Sequence, residues 1–126
     1  MDAPDVLVVD DDPDIRAMLG FTLGNEFRVR FAAGGTEAIA ELATRPPAAM
    51  ILDVMMPEVD GYDVLEARRE RGLAPETHVV MLTSRTDERD LVRSWALGAD
   101  AFVSKPADPE QSAADLRARF APTPET

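Results

Sequence analysis

Short apolar runs alternate along this chain with longer stretches in which apolar residues recur every third or fourth position. An unbroken short run predicts a strand buried on both faces, and the longer spacing predicts a helix with one inward face. Strands are expected at Val6–Asp10, Phe27–Phe31, Ala49–Asp53, His78–Thr83 and Ala101–Ser104. Between them the helical punctuation is specific. Asp12-Pro13 is a cap followed by proline at the first helical position, with Ile15, Met18, Leu19, Thr22 and Leu23 at helix spacing and Gly24-Asn25 as the stop. Gly34-Gly35 opens a second helix with Ala38, Ile39 and Leu42 inward, and Pro46-Pro47 closes that connection. A third helix starts near Asp60-Gly61 and turns Val64 and Leu65 inward; Arg68 to Arg71 read as its solvated end. A fourth runs from about Thr86 with Leu91, Val92, Trp95 and Ala96 as its apolar stripe and Gly98 as its end. Asp108-Pro109 starts a fifth, which runs to about Phe120. The pattern predicts an α/β fold of five βα units, with a parallel sheet and helices on both faces through right-handed crossovers. Residues 1–120 form one domain, and residues 121–126 read as a tail or the start of a linker.

Strands of a parallel sheet share one C-terminal edge, and ligands of open α/β sheets bind there. Four of the five runs end on residues suited to phosphoryl chemistry. VLVVD ends at Asp10 with Asp11 next, MILD at Asp53, VVMLT at Thr83 and AFVSK at Lys105. Lys105 is the chain's sole lysine; arginine fills every other basic position. A compact ammonium on a flexible stem is not freely replaced by a guanidinium. Carboxylates from two strand ends make a pocket of hard oxygen ligands that suits Mg²⁺ or Mn²⁺. Two carboxylates about 5 Å apart repel by roughly 3 kcal/mol at an effective dielectric of about 20. A divalent cation offsets that repulsion, and without one a carboxyl pKa should rise. Asp2, Asp5 and Asp14 read instead as a solvated acidic face, and Asp12 as a helix cap. His78 and Trp95 read as structural.

Composition narrows the class. The net charge of −11 argues against a nucleic-acid surface on this chain. There is no cysteine, so no disulfide framework or thiolate metal site exists. No apolar run approaches membrane-spanning length, and no signal peptide is visible at the N-terminus. A cytoplasmic protein without membrane attachment is expected.

VLVVDDDPDIR, ILDVMMPEVDG, VVMLTS and GADAFVSKP, in that order and spacing, resemble the receiver domain of two-component response regulators over Val6 to about Phe120. The resemblance implies the flavodoxin-like strand order 2-1-3-4-5. It implies that Asp53 accepts a phosphoryl group, assisted by Lys105 and by the Thr83 hydroxyl. Asp11, Asp53 and the backbone carbonyl of Met55 would bind Mg²⁺ directly, with Asp10 acting through water. Thr83 and Phe102 would be the switch pair; the family often has tyrosine at the latter position. Met55 and Arg85, with the small Ser84, would control water access to the phosphoryl group and give it a slow decay. A cis bond between Lys105 and Pro106 is also implied. The implied partners are a sensor histidine kinase or phosphotransfer protein, and an output domain or protein reached through the face of helix 4, strand 5 and helix 5. A homodimer on phosphorylation is allowed, without the charge pairs that Ala101 and Asp115 leave unformed. The domain would be a switch that catalyses its own phosphorylation and dephosphorylation, not a turnover enzyme. It would be either a stand-alone receiver or one end of a longer regulator.

Two alternatives stand beside this reading. Asp10-x-Asp12 fits the opening of haloacid-dehalogenase-like phosphatases, although Pro13 and Asp14 do not fit the rest of that motif. A degenerate receiver that only docks is the other, and the five filled key positions argue against it.

Overall fold

Ala49–Asp53 is buried at every residue, and so is Val79–Thr83 in the neighbouring run. Such segments need hydrogen-bond partners on both edges and apolar cover on both faces, which a central position in a parallel sheet supplies. The computed structural model describes residues 3–83, 88–105 and 109–120. In it the strands are β1 (Asp5–Val9), β2 (Arg28–Ala32), β3 (Ala49–Asp53), β4 (His78–Thr83) and β5 (Ala101–Ser104). The helices are α1 (Pro13–Leu23), α2 (Gly35–Thr44), α3 (Gly61–Arg71), α4 (Glu88–Ala96) and α5 (Pro109–Phe120). All four strand pairs are parallel, in the order β2-β1-β3-β4-β5. The chain winds outward from β1 to β2, then reverses to β3 on the other side. The point of reversal lies between β1 and β3, where a crevice opens beyond the strand ends.

Side chains alternate across the sheet. Leu7, Val9, Met50, Leu52, Val79 and Met81 face α2 and α3, with Leu42 and Leu65 packed on them. Val6, Val8, Ile51, Val80, Leu82 and Val103 face α1 and α5, with Leu19, Leu23 and Leu116 packed on them. The expected strands and helices are therefore present, with small shifts. β1 ends one residue early at Val9, although the Asp10 N–H still donates to Ala32 O at 3.2 Å. β2 runs one residue later than expected. Thr86, Asp108 and the tail 121–126 lie outside the described residues.

Three expectations need correction. Most of the apolar stripe of α4 does not face inward: Leu91 is half-buried, but Val92 is 60% and Trp95 53% exposed and Ala96 is exposed, while Ser94 is buried. Arg68 is no solvated turn residue. It is buried inside a continuing helix, and its guanidinium donates to Ala74 O at 3.1 Å and Thr77 O at 3.0 Å, stapling the α3–β4 loop. Burial pushes its pKa down, against the field of Asp100. Asp5 is half-buried and pairs with Arg30 at 2.9 Å, an ion pair hidden by its distance in sequence. Removing the Arg68 guanidinium strips buried carbonyls of charged donors. Arg68→Ala is expected to lose about 2–3 kcal/mol in a denaturant melt; an unchanged midpoint would show that the loop holds itself.

Candidate functional site

The strand ends converge as the topology requires. Asp10 follows β1 and is fully buried, and Asp53 closes β3 at 1% exposure. Asp11 is exposed beside them. One carboxylate oxygen from each of the three lies within 4.8 Å of the others. Lys105, just past β5, reaches back over the edge. Its Nζ is 3.0 Å from Asp53 Oδ1 and 3.3 Å from Asp10 Oδ2. The lysine backbone N–H donates to Thr83 O at 2.8 Å, so β4 fixes where the stem begins.

Local sequence explains how each group is held. Asp12 caps α1 by accepting from the Asp14 N–H, as expected, and this turns the chain sharply after β1. Asp10 Oδ1 accepts from the Asp12 N–H at 2.9 Å, and Arg16 donates to the Asp10 carbonyl at 2.7 Å. The loop after β3 leaves Met55 half-exposed and buries Met56. It places Glu58 in the left-handed region at φ 68°. It closes on α3 through a capping box, in which Asp60 accepts from the Asp63 N–H and Asp63 accepts from the Asp60 N–H. A Cβ on Gly61 would stand 2.6 Å from the backbone carbonyl of Asp53, so glycine lets α3 start directly against the end of β3.

Burial pushes the Asp53 carboxyl up to about 6, and the charge of Asp10 adds to the rise. Lys105 and the Met55 N–H, which donates to Asp53 Oδ1 at 3.3 Å, pull the other way. Burial opposes the Lys105 ammonium, but its hydrogen bonds and the fields of Asp53 and Asp10 raise its pKa overall. Among the described residues Asp53 Oδ2 is buried and accepts no hydrogen bond, while buried Asp10 Oδ2 has the Lys105 ammonium 3.3 Å away. A buried carboxylate oxygen without a donor, beside two further carboxylates, fits a hard divalent ion.

Thr83 is buried at the end of β4. Phe102 is half-buried on β5, packed on the α3-side core and edge-on to Trp95. Ser84, Arg85 and Pro106 lie outside the described residues, so the water-access and cis-bond expectations rest on the sequence. His78 is structural, as read: Asp115 Oδ2 is 2.9 Å from its Nε2. The hydrogen bond of Arg16 to the Asp10 carbonyl is not evident from the sequence pattern. Arg16 stands one helical turn after the Asp12 cap, which is the signal that could have placed it near Asp10.

An acidic crevice with a converging lysine thus lies at the reversal point of the parallel sheet. Residues 6–117 match the family model for the response regulator receiver domain, and the chain belongs to that family. It is 40% identical to response regulator Rre1 of Synechocystis over 114 residues, covering 89% of this chain and 49% of that protein. It is 37% identical to the DNA-binding response regulator MtrA of Mycolicibacterium smegmatis, covering 91% of this chain and 50% of that protein. The chain thus spans about half the length of the curated relatives it matches. Chemotaxis protein CheY4 of Vibrio cholerae superposes with a TM-score of 0.85 at 32% identity, covering 92% of this chain and 98% of that one. The BeF3-activated receiver domain of DrrB matches with a TM-score of 0.80 at 29% identity, covering 92% and 96%. Family membership places the chain in two-component signalling and sets the phosphatase alternative aside. No helix among the described residues is long and apolar enough to cross a membrane.

Proposed function

We propose that this domain is a phosphoacceptor switch in which Asp53 takes a phosphoryl group from a kinase phosphohistidine. The observation that carries the reading is the buried Asp53 carboxylate held 3.0 Å from the lone lysine, with two further acids gathered beside it. An ionised Asp53 oxygen attacks phosphorus in line. The P–N bond breaks, the electron pair leaves with the imidazole, and an acyl phosphate forms. Lys105 and the Thr83 hydroxyl meet the phosphoryl oxygens, where charge accumulates in the transition state. Asp10, Asp11 and Asp53, with the Met55 carbonyl, would hold Mg²⁺ or Mn²⁺, which supplies charge neutralisation on those same oxygens when bound. Attack of water on phosphorus returns Asp53 and releases phosphate; Met55, Ser84 and Arg85 govern its approach. The modified site biases Thr83 and Phe102, and through them the face of α4, β5 and α5, toward an output domain or partner. A sensor kinase or phosphotransfer protein is the donor, and the expected compartment is the cytoplasm.

The test is incubation with acetyl phosphate. Modification to at most one phosphoryl group per chain, requiring Mg²⁺ and abolished by a chelator, is expected. Sustained release of phosphate from phosphomonoesters, or no modification at all, would contradict the reading.

A further inference from the structure

Helix α4 exposes Val92, Trp95 and Ala96, yet Trp95 is not idle there. Its ring meets Phe102 edge-on, with centroids 4.7 Å apart and planes at 78°. This is a favoured aromatic geometry. Phe102 pairs in register with Met81 on β4, two residues before Thr83, so Phe102 and Thr83 lie on the same face of the sheet. The half-exposed indole thus packs against the ring of a residue on the Thr83 face.

The wall that Trp95 provides is anchored from behind. Arg93, two residues earlier, lies 4.2 Å over the Tyr62 ring and 3.5 Å from Glu66. Arg69 donates to the carbonyl of Ala96, one residue later, at 2.6 Å. Tyr62 and Glu66 belong to α3, which starts at Gly61 directly against the end of β3. The Arg93 side chain and the Ala96 backbone, on either side of Trp95, are therefore tied to the helix that starts against the end of β3, while the half-buried Phe102 ring is held by packing.

We propose that Trp95 is a positioning residue that latches the Phe102 ring in the resting conformation and so sets how readily the domain switches. The proposal rests on the phosphoacceptor reading above. When a phosphoryl group draws Thr83 toward Asp53, the ring gains room beside β4 and leaves the indole. The aromatic contact is made in the resting state and broken in the active one, so it weights the equilibrium toward rest. Trp95 is also the chain's sole tryptophan, so the exchange has its own optical signal.

The experiment uses Mg²⁺ and beryllofluoride, a mimic of the acyl phosphate, with occupancy at Asp53 followed by fluorine NMR and Trp95 followed by emission and acrylamide quenching. Wild type is expected to show longer-wavelength emission and easier quenching on binding. Phe102→Leu is expected to bind without that change. Trp95→Leu should bind beryllofluoride about two- to tenfold more tightly, and Trp95→Phe should return toward wild type. Circular dichroism melts check that each variant is folded. An occupied wild-type site with unmoved emission, or a folded Trp95→Leu that binds equally or more weakly, would overturn the latch. No bound fluorine signal in wild type, or an equal one in Asp53→Asn, would overturn the phosphoacceptor reading and the latch with it.

Discussion

Asp53→Asn is expected to make the metal-free protein more stable than wild type at pH 7 and above. The folded state raises the Asp53 carboxyl from 3.8 to about 6, first through burial and then through Asp10. Folded protein therefore binds that proton more tightly than the unfolded chain does. The stability this gives is fully present below the unfolded value of 3.8 and is lost as pH rises through about 6. Once both states are ionised, the charge costs about 3 kcal/mol. Asparagine keeps the shape and carries no charge. Urea melts in chelator should show the two proteins equal at pH ~3 and the variant ahead by about 2–3 kcal/mol at pH ~7.5. Mg²⁺ should narrow the gap by stabilising wild type, about 1.4 kcal/mol at ten times its Kd. A variant that is equally or less stable at pH 7.5 would show that Asp53 is not under electrostatic load.

Lys105 carries the second large effect. Its ammonium stands between Asp53 Oδ1 and Asp10 Oδ2, and its stem starts from a backbone bonded to Thr83. Phosphoryl oxygens delivered to Asp53, as proposed, would enter the reach of that single point charge. Lys105→Ala should slow modification by acetyl phosphate about a hundredfold, the scale of losing one preorganised donor to a developing charge. Lys105→Arg should not restore it, because a planar guanidinium fork does not reproduce a compact ammonium held 3.0 Å and 3.3 Å from two buried carboxylates. Rates from quenched time courses decide this. An alanine variant that keeps most of the wild-type rate would remove Lys105 from the mechanism.

What could be read from the chain differed by element. β3 and β4 were legible to the residue because a strand buried on both faces must be apolar throughout and must end where polarity returns. Asp10, Asp53, Thr83 and Lys105 were legible for the same reason: strand ends in a parallel sheet are neighbours whatever their separation along the chain. The outward face of α4 was not. Helical periodicity reveals that Leu91, Val92, Trp95 and Ala96 share one side, but not whether the sheet or something else covers that side. Arg68 was hidden because it stands among Arg69 and Arg71, and only a folded loop supplies the carbonyls that single it out. Asp5 and Arg30 meet through β1–β2 pairing, which local spacing does not encode.

The central claim is that Asp53 receives the phosphoryl group. Peptide mass spectrometry after modification with acetyl phosphate and Mg²⁺, with the acyl phosphate trapped by borohydride reduction, reads the position directly. The expected result is a single reduced residue at position 53 in wild type and none in Asp53→Asn. Label on Asp10, Asp11 or His78, or label that persists in Asp53→Asn, would contradict the account.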